Sequence, residues 1–223
     1  MILGLFGGGK KDDLPQEHGP LAVALGGALE LDTLGLQAGL AAGEPALPPP
    51  KGGTFIVEAI GTAKLDGATT LTRYYDDDDQ ILQVMAEPGG GREAITDVSL
   101  YRPWDSVTPM SSAEWDRWTG PNGLIGQPQY DADGIMFARY WGESAGPVDL
   151  VEFSEDINDG DAVRSIHQRC MLYARPVGPV EEMLLINIER DIGENVSRQG
   201  GSVEFMIGYG LAAADVQLSL IHI

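Results

Sequence analysis

The sequence predicts a β-dominated α+β protein: antiparallel β-meander sheets with one or two short helices. Three observations predict it. Turn signals recur every ~8 to 15 residues, closer together than a strand–helix–strand repeat allows. Segments between them are rich in β-branched and aromatic residues, which suit a pleated, half-buried surface. The stretch Arg73–Val84, RYYDDDDQILQV, shows the pattern most clearly, as strand, charged turn, strand.

Taken in order, residues 19–40 are Gly- and Leu-rich and fit either a strand pair or a short helix. Residues 44–53, EPALPPPKGG, read as a stiff extended connector. Its Pro45–Pro48 spacing lacks the basic residue that a ligand for a proline-binding groove would carry. Residues 54–63 (with Phe55, Ile56, Val57 and Ile60) form a strand, Asp66-Gly67 a hairpin turn, and residues 68–75 the returning strand. Asp76 to Asp79 turn again and residues 80–86 continue the meander. After the PGGGR loop at 88–92 comes a strand over 94–101. Ser111 and Glu114 have the spacing of a capping box, so a short helix over 112–119 follows and stops before Gly120-Pro121. Further strands are expected over 135–141, 148–153, 166–174, 183–190, 203–210 and 216–223, with polar turns at 156–161 and 176–179. Residues 1–16 read as a flexible tail and 17–223 as one β-rich body, divided near 103–134 if it has two subdomains.

The chain has 223 residues, 43% of them hydrophobic, and a net charge of −20. A globule this long buries roughly 70% of its unfolded surface, so its core needs no covalent staple. Its charge repels phosphate backbones, which excludes nucleic acid as the expected partner. Cys170 is the single cysteine, which excludes an internal disulfide and a cysteine zinc cluster. No apolar run reaches the ~20 residues that span a bilayer. The start, MILGLFGGGKKDD, is too short for a signal peptide and its lysines follow the apolar part. The location expected is cytoplasmic, with at most peripheral membrane contact through residues 1–11.

Several catalytic and metal patterns fail on inspection. Gly4–Lys11 resembles a phosphate loop, but position 11 is Lys where Ser or Thr is needed and three residues precede Gly4. Asp156–Asp161 resembles a calcium loop, but Gly160 falls one residue early and the closing position is His167. Asp76, Asp77, Asp78 and Asp79 form a charged hairpin tip whose alternating directions allow only weak cation binding. His167 and Cys170 are three apart in a strand and so face opposite ways. His18, His167 and His222 find no nucleophile elbow to serve. No catalytic residue, cofactor or dedicated metal site is expected. The aromatic concentration of the middle third, Trp104, Trp115, Trp118 and Trp141 with Tyr101 and Tyr140, is read as core or as an interface. Arg73, Tyr74 and Tyr75 join it as candidate partner-binding residues.

Short segments distributed along the chain carry a family resemblance: Leu5-Phe6-Gly7, Gly19-Pro20-Leu21, Leu31-Asp32-Thr33-Leu34, Arg73-Tyr74-Tyr75, Leu82-Gln83-Val84, and Leu218-Ser219-Leu220 with His222. In this order they resemble the YjfK-like family of bacterial cytoplasmic proteins of unknown function; residues 95–147 match poorly. The resemblance supplies no catalytic residues. It implies a setting beside a phage-shock-protein A-like membrane-remodelling protein, small membrane proteins and an ATP-grasp ligase similar to glutathionylspermidine synthase. The function expected is therefore a non-enzymatic adaptor in envelope stress or membrane maintenance. Its partner would be the phage-shock-like protein or a small membrane protein. The alternative is a small-ligand module or enzyme with an aromatic-lined pocket near Trp104–Trp141.

Overall fold

The structure is a computed structural model and describes residues 19–191 and 201–219. The N-terminal element group is β1 (Ala28–Leu31), α1 (Leu34–Leu40) and β2 (Gly53–Ile56). Then come β3 (Ala59–Lys64), β4 (Thr70–Tyr75), β5 (Ile81–Ala86) and β6 (Ile95–Val107). The middle holds α2 (Ser112–Thr119), β7 (Gln129–Ala132) and β8 (Ile135–Arg139). The last group is β9 (Val151–Asn158), β10 (Val163–Val177), β11 (Val180–Asp191), β12 (Ser202–Gly210) and β13 (Val216–Leu218).

The predicted meander is present: β3, β4, β5 and β6 pair in sequence, every pair antiparallel. It does not stay an open sheet. β6 pairs with β12, β12 with β11, β11 with β10, β10 with β9, and β9 returns to β3. Eight strands thus close into an antiparallel barrel. Closure removes the exposed edges that an open sheet would present. β10 pairs with β9 along its first half and with β8 near its end, so β8 and β7 splay off the barrel wall.

Alternation along each strand gives the wall two faces. Leu71, Tyr101, Phe153, Cys170, Met183 and Leu185 point inward and form an interior cluster. The outer face is covered twice. A three-stranded sheet, in the order β13, β1, β2, closes one side over Tyr74, Leu82, Val84 and Leu100. On the other side α2, β7 and β8 cover Leu184, Ile186, Phe205 and Tyr209. Fully burying one such side chain stabilises by about 1.5–3 kcal/mol.

Several expected boundaries move. Residues 19–40 contain both a strand and a helix. Residues 44–53 are extended but docked: the Ala46 N–H donates to Glu182 at 2.8 Å, and Arg175 and Arg102 donate to the carbonyls of Glu44 and Pro48. β6 runs past Pro103, which has no N–H to give the ladder. A register shift at Phe205/Met206 places Pro103 opposite Met206 and Asp105 opposite Phe205, leaving Trp104 as the extra residue of a bulge. β9 continues to Asn158, and only Asp159 opens the turn, accepting from the N–H groups of Asp161 and Ala162. α2 matches its expected limits, with the Ser111 hydroxyl accepting from the Glu114 N–H. The tail over 1–16, His18, His222 and residues 220–223 lie outside the described residues.

Candidate ligand-binding site

The barrel interior is not filled. A cavity of about 340 Å³ opens at the end formed by the β3–β4 turn, the start of β6, the start of β9 and the β10–β11 turn. An eight-stranded barrel is wide enough to be packed solid or to hold one small molecule. Its walls are apolar, supplied by Leu65, Leu71, Met85, Phe153, Leu172 and Leu185.

Arg73 closes the depth of this cup. Its side chain is 1% exposed and its Nη1 lies 3.1 Å from Glu155 Oε2, itself 1% exposed. Nη1 also donates to Gln168 Oε1 at 2.6 Å, and Nε donates to Gln83 Oε1 at 3.0 Å. Gln168 Nε2 and the Tyr75 hydroxyl each donate to Glu155 at 2.6 Å. Burial, the largest single influence, pulls the Arg73 pKa down, but Glu155 together with the smaller contributions of Tyr75, Cys170 and Glu189 outweighs it and the net direction is up, so the guanidinium stays charged. Burial and then Glu155 push the Tyr75 hydroxyl well above its ordinary value, which keeps it a donor. Gly61 makes the arrangement possible: a Cβ there would stand 1.8 Å from Glu155 Oε1. Gly208 does the same for Tyr101, whose ring lies 2.2 Å from where that Cβ would be.

Asn187 has hydrogen-bonding capacity left over: it is fully buried, and neither its Oδ1 nor its Nδ2 has a partner among the described residues. It faces the interior because it pairs with Cys170 and lies two residues beyond Leu185, both of which line the cavity. Burial pushes the Cys170 thiol up to about 11, with Arg73 acting weakly against it.

At the rim, Tyr140 and Trp141 line the opening, and Tyr140 is 54% exposed. Their loop is held by Arg139, which spends all five N–H donors on backbone carbonyls: Trp141, Gly126, Gly146, Gly142 and Ser144, at 2.6–2.9 Å. The planar fork of a guanidinium suits this role in a way an ammonium does not.

The structure divides the sequence candidates among three places. Arg73 and Tyr75 face the barrel interior, and Trp141 stands at its mouth. Tyr74, between them in sequence, points outward into the core under the small sheet and accepts from the Leu21 N–H at 3.2 Å. Trp104, Trp115 and Trp118 belong to the outer core beside α2; Trp118 packs on Phe205 at 5.6 Å and the Arg190 guanidinium lies 4.7 Å over Trp115. They do not line the cavity. Asp76 caps its own hairpin, accepting from the N–H groups of Asp78 and Gln80 and from the Gln80 side chain. Among the described residues no group of three or more His, Cys, Asp or Glu side chains could hold a metal ion. His167 sits near Glu152 on the face away from Cys170.

A family described as a protein of unknown function, DUF2491, matches residues 5–217. The chain belongs to that family. It is also similar to the uncharacterized protein YjfK of Escherichia coli (strain K12), 27% identical over 223 residues, covering 98% of this chain and 96% of the relative. No solved structure matches it. Among its described residues, no helix of this DUF2491 protein is long and apolar enough to cross a membrane.

Sequence reasoning missed the residues that matter most in this DUF2491 barrel: Gln83, Glu155, Gln168, Asn187 and Arg139. A signal existed for three of them. Gln83, Gln168 and Asn187 are polar residues inside apolar strands; the residues two positions away are apolar on both sides of Gln83 and Gln168 and on one side of Asn187, where Leu185 precedes it and Glu189 follows. Glu155 and Arg139 gave no such signal, because each depends on partners distant in sequence.

Proposed function

We propose that the barrel is a binding module for a small, mostly apolar molecule. One observation carries this reading: an apolar cavity of about 340 Å³ that ends on a buried polar floor. Ligand sites of this kind combine apolar walls with a few convergent polar groups that fix orientation. The floor here is rigid, since Arg73, Glu155 and Gln168 hold one another, and the mouth is shaped by a loop that Arg139 fixes.

The test is extraction and mass spectrometry of the purified full chain, compared with a Val151→Trp variant that narrows the mouth. A small molecule at stoichiometric amount that is lost in the variant supports the reading. If neither protein carries one, and no apolar probe binds the wild type, the reading is wrong.

The exposed Tyr140 and the 38% exposed Val151 beside the opening favour a second, compatible reading. In it the occupied barrel presents its rim to a protein partner, as an adaptor in the envelope-stress setting that the family resemblance implies. Affinity capture with and without Tyr140→Ser tests it, with a phage-shock-like protein or small membrane protein as the expected prey. Identical prey from both baits removes it.

A further inference from the structure

Resting on the binding-module reading, we infer that the ligand is an organic cation, with an apolar body that fills the cup and an ammonium-type head seated at its mouth on the Asp97 carboxylate.

Charge in the lining is the first argument. One cation, Arg73, and one carboxylate, Asp97, line the cavity. Arg73 is matched by Glu155 at 3.1 Å, and the carboxylates that act most strongly on it are Glu155 and then Glu189. Asp97 is not matched: it accepts from the Ser99 hydroxyl at 2.9 Å and forms no ion pair among the described residues. The lining therefore carries one uncompensated charge, and it is negative. Beside an apolar wall that charge attracts a cation more strongly than it would in bulk water.

Position is the second. Asp97 lies near the start of β6, opposite Met85, and is half-buried, whereas Ser99 and Tyr101 farther along the strand are buried. At ~3.4 Å per residue, four residues separate Asp97 from Tyr101 by about 13 Å. A head at Asp97 thus keeps part of its hydration, while the depth of the cup is left to the tail. The charge still reaches inside: after burial, Asp97 is the largest influence raising the Tyr101 hydroxyl.

The approach is the third. Asp97 and Tyr140 also border a second hollow beside the mouth, together with Glu181 and Asp215, and no Lys or Arg of the described residues lines it. An anion entering this way meets like charge, and a cation meets carboxylates and the exposed Tyr140 ring. One carboxylate in an apolar cup is far from the six or more oxygens that a hard metal ion takes, so the cation is organic. At ~30 Å³ per water-sized group, 340 Å³ holds on the order of ten heavy atoms.

The experiment is isothermal titration of the full chain at neutral pH with three probes of equal tail length: octylammonium, 1-octanol and octanoate. Octylammonium is expected to bind about five- to tenfold more tightly than octanol, between the worth of an exposed ion pair and that of a charge-assisted hydrogen bond. Octanoate is expected to bind more weakly than octanol. The isosteric Asp97→Asn should remove most of the octylammonium advantage and leave octanol within about twofold of wild type. Octanol binding as tightly as octylammonium, or octanoate more tightly than either, overturns the inferred class and leaves the binding module standing. A preference for octylammonium that survives Asp97→Asn intact overturns the assigned seat and traces to the net charge of the chain. Where the purified chain already carries a molecule, a cation agrees with the class, and a neutral molecule or an anion overturns it. No binding by any probe, with nothing on the purified chain, overturns the binding module itself. The ranking of probes uses wild-type protein, so the class is decided without the variant.

Discussion

Replacing Asn187 with valine should make the protein more stable. The side chain is fully buried on the inner face of β11, and both its polar atoms lack partners among the described residues. An unsatisfied buried polar group costs about 1–3 kcal/mol relative to its hydrated state in the unfolded chain. Valine carries no polar group, and its β-branch suits a strand. It is the larger residue, but its neighbours Cys170 and Leu185 border the cavity and have room to adjust. Allowing up to about 1 kcal/mol for that adjustment, the net gain is about 1–2 kcal/mol. In a chain of this length each kcal/mol moves Tm by roughly 2–4 °C, so the variant should melt about 2–8 °C higher. Urea unfolding followed by circular dichroism checks it, with a higher midpoint and an unchanged slope expected. A lower midpoint would refute the reasoning: it would mean that the carboxamide is well satisfied in the folded, ligand-free protein.

Arg73→Met should cost about 3–5 kcal/mol by leaving Glu155 buried and unpaired, whereas Arg73→Met with Glu155→Gln should recover most of that loss; urea midpoints of the two variants decide it. Burial raises the Glu189 pKa, with Arg73 opposing, so the folded state holds that proton longer than the unfolded state does. The destabilisation is then absent below the ordinary carboxylate pKa and complete above the folded one. Glu189→Gln should accordingly stabilise at about pH 8 and change little at about pH 4, as paired urea titrations would show. A Cys170 thiol pushed up to about 11 from 9.0 holds about 100-fold less thiolate than an ordinary one, so alkylation at mildly alkaline pH should be slower by at least that factor than in urea-unfolded protein. Reaction at the unfolded rate would place Cys170 outside the barrel wall.

Local features of the fold were legible because their causes are local. The Ser111–Glu114 cap, the Asp66-Gly67 turn and the returning strand expected over 68–75 and found over 70–75 each depend on a few adjacent residues. Closure of the sheet was not legible, since it rests on β9 returning to β3, a pairing of residues nearly a hundred positions apart. The same distance hid Glu155 from a reader who had singled out Arg73. Trp104 misled for a different reason. Sequence shows an aromatic cluster, but it does not show the bulge at which Trp104 falls, or that Trp115 and Trp118 ride on a helix outside the barrel. Tyr74 and Tyr75 are identical in type and adjacent, and strand alternation sends them to opposite cores.

A barrel that needed only to be stable would fill this interior with Leu, Ile and Val. Buried ion pairs such as Arg73–Glu155 rarely outperform well-packed apolar residues in stability. Here the pair comes with two further buried polar side chains, Gln168 pairing with both and Asn187 pairing with nothing described, and with the half-buried Gln83 pairing with Arg73. Gly61 makes room for the Glu155 carboxylate and Gly208 for the Tyr101 ring, although glycine weakens a strand. While the outer core holds a second buried carboxylate, Glu182, paired with Arg175 and Tyr209, most of these costs meet at the floor of one cavity. That placement is what a binding site requires and what a structural core does not. A charge-free Arg73→Met, Glu155→Gln protein that folds with near wild-type stability yet no longer carries the small molecule extracted from the wild type would show the polar floor to be kept for recognition; retained binding would show it to be structural.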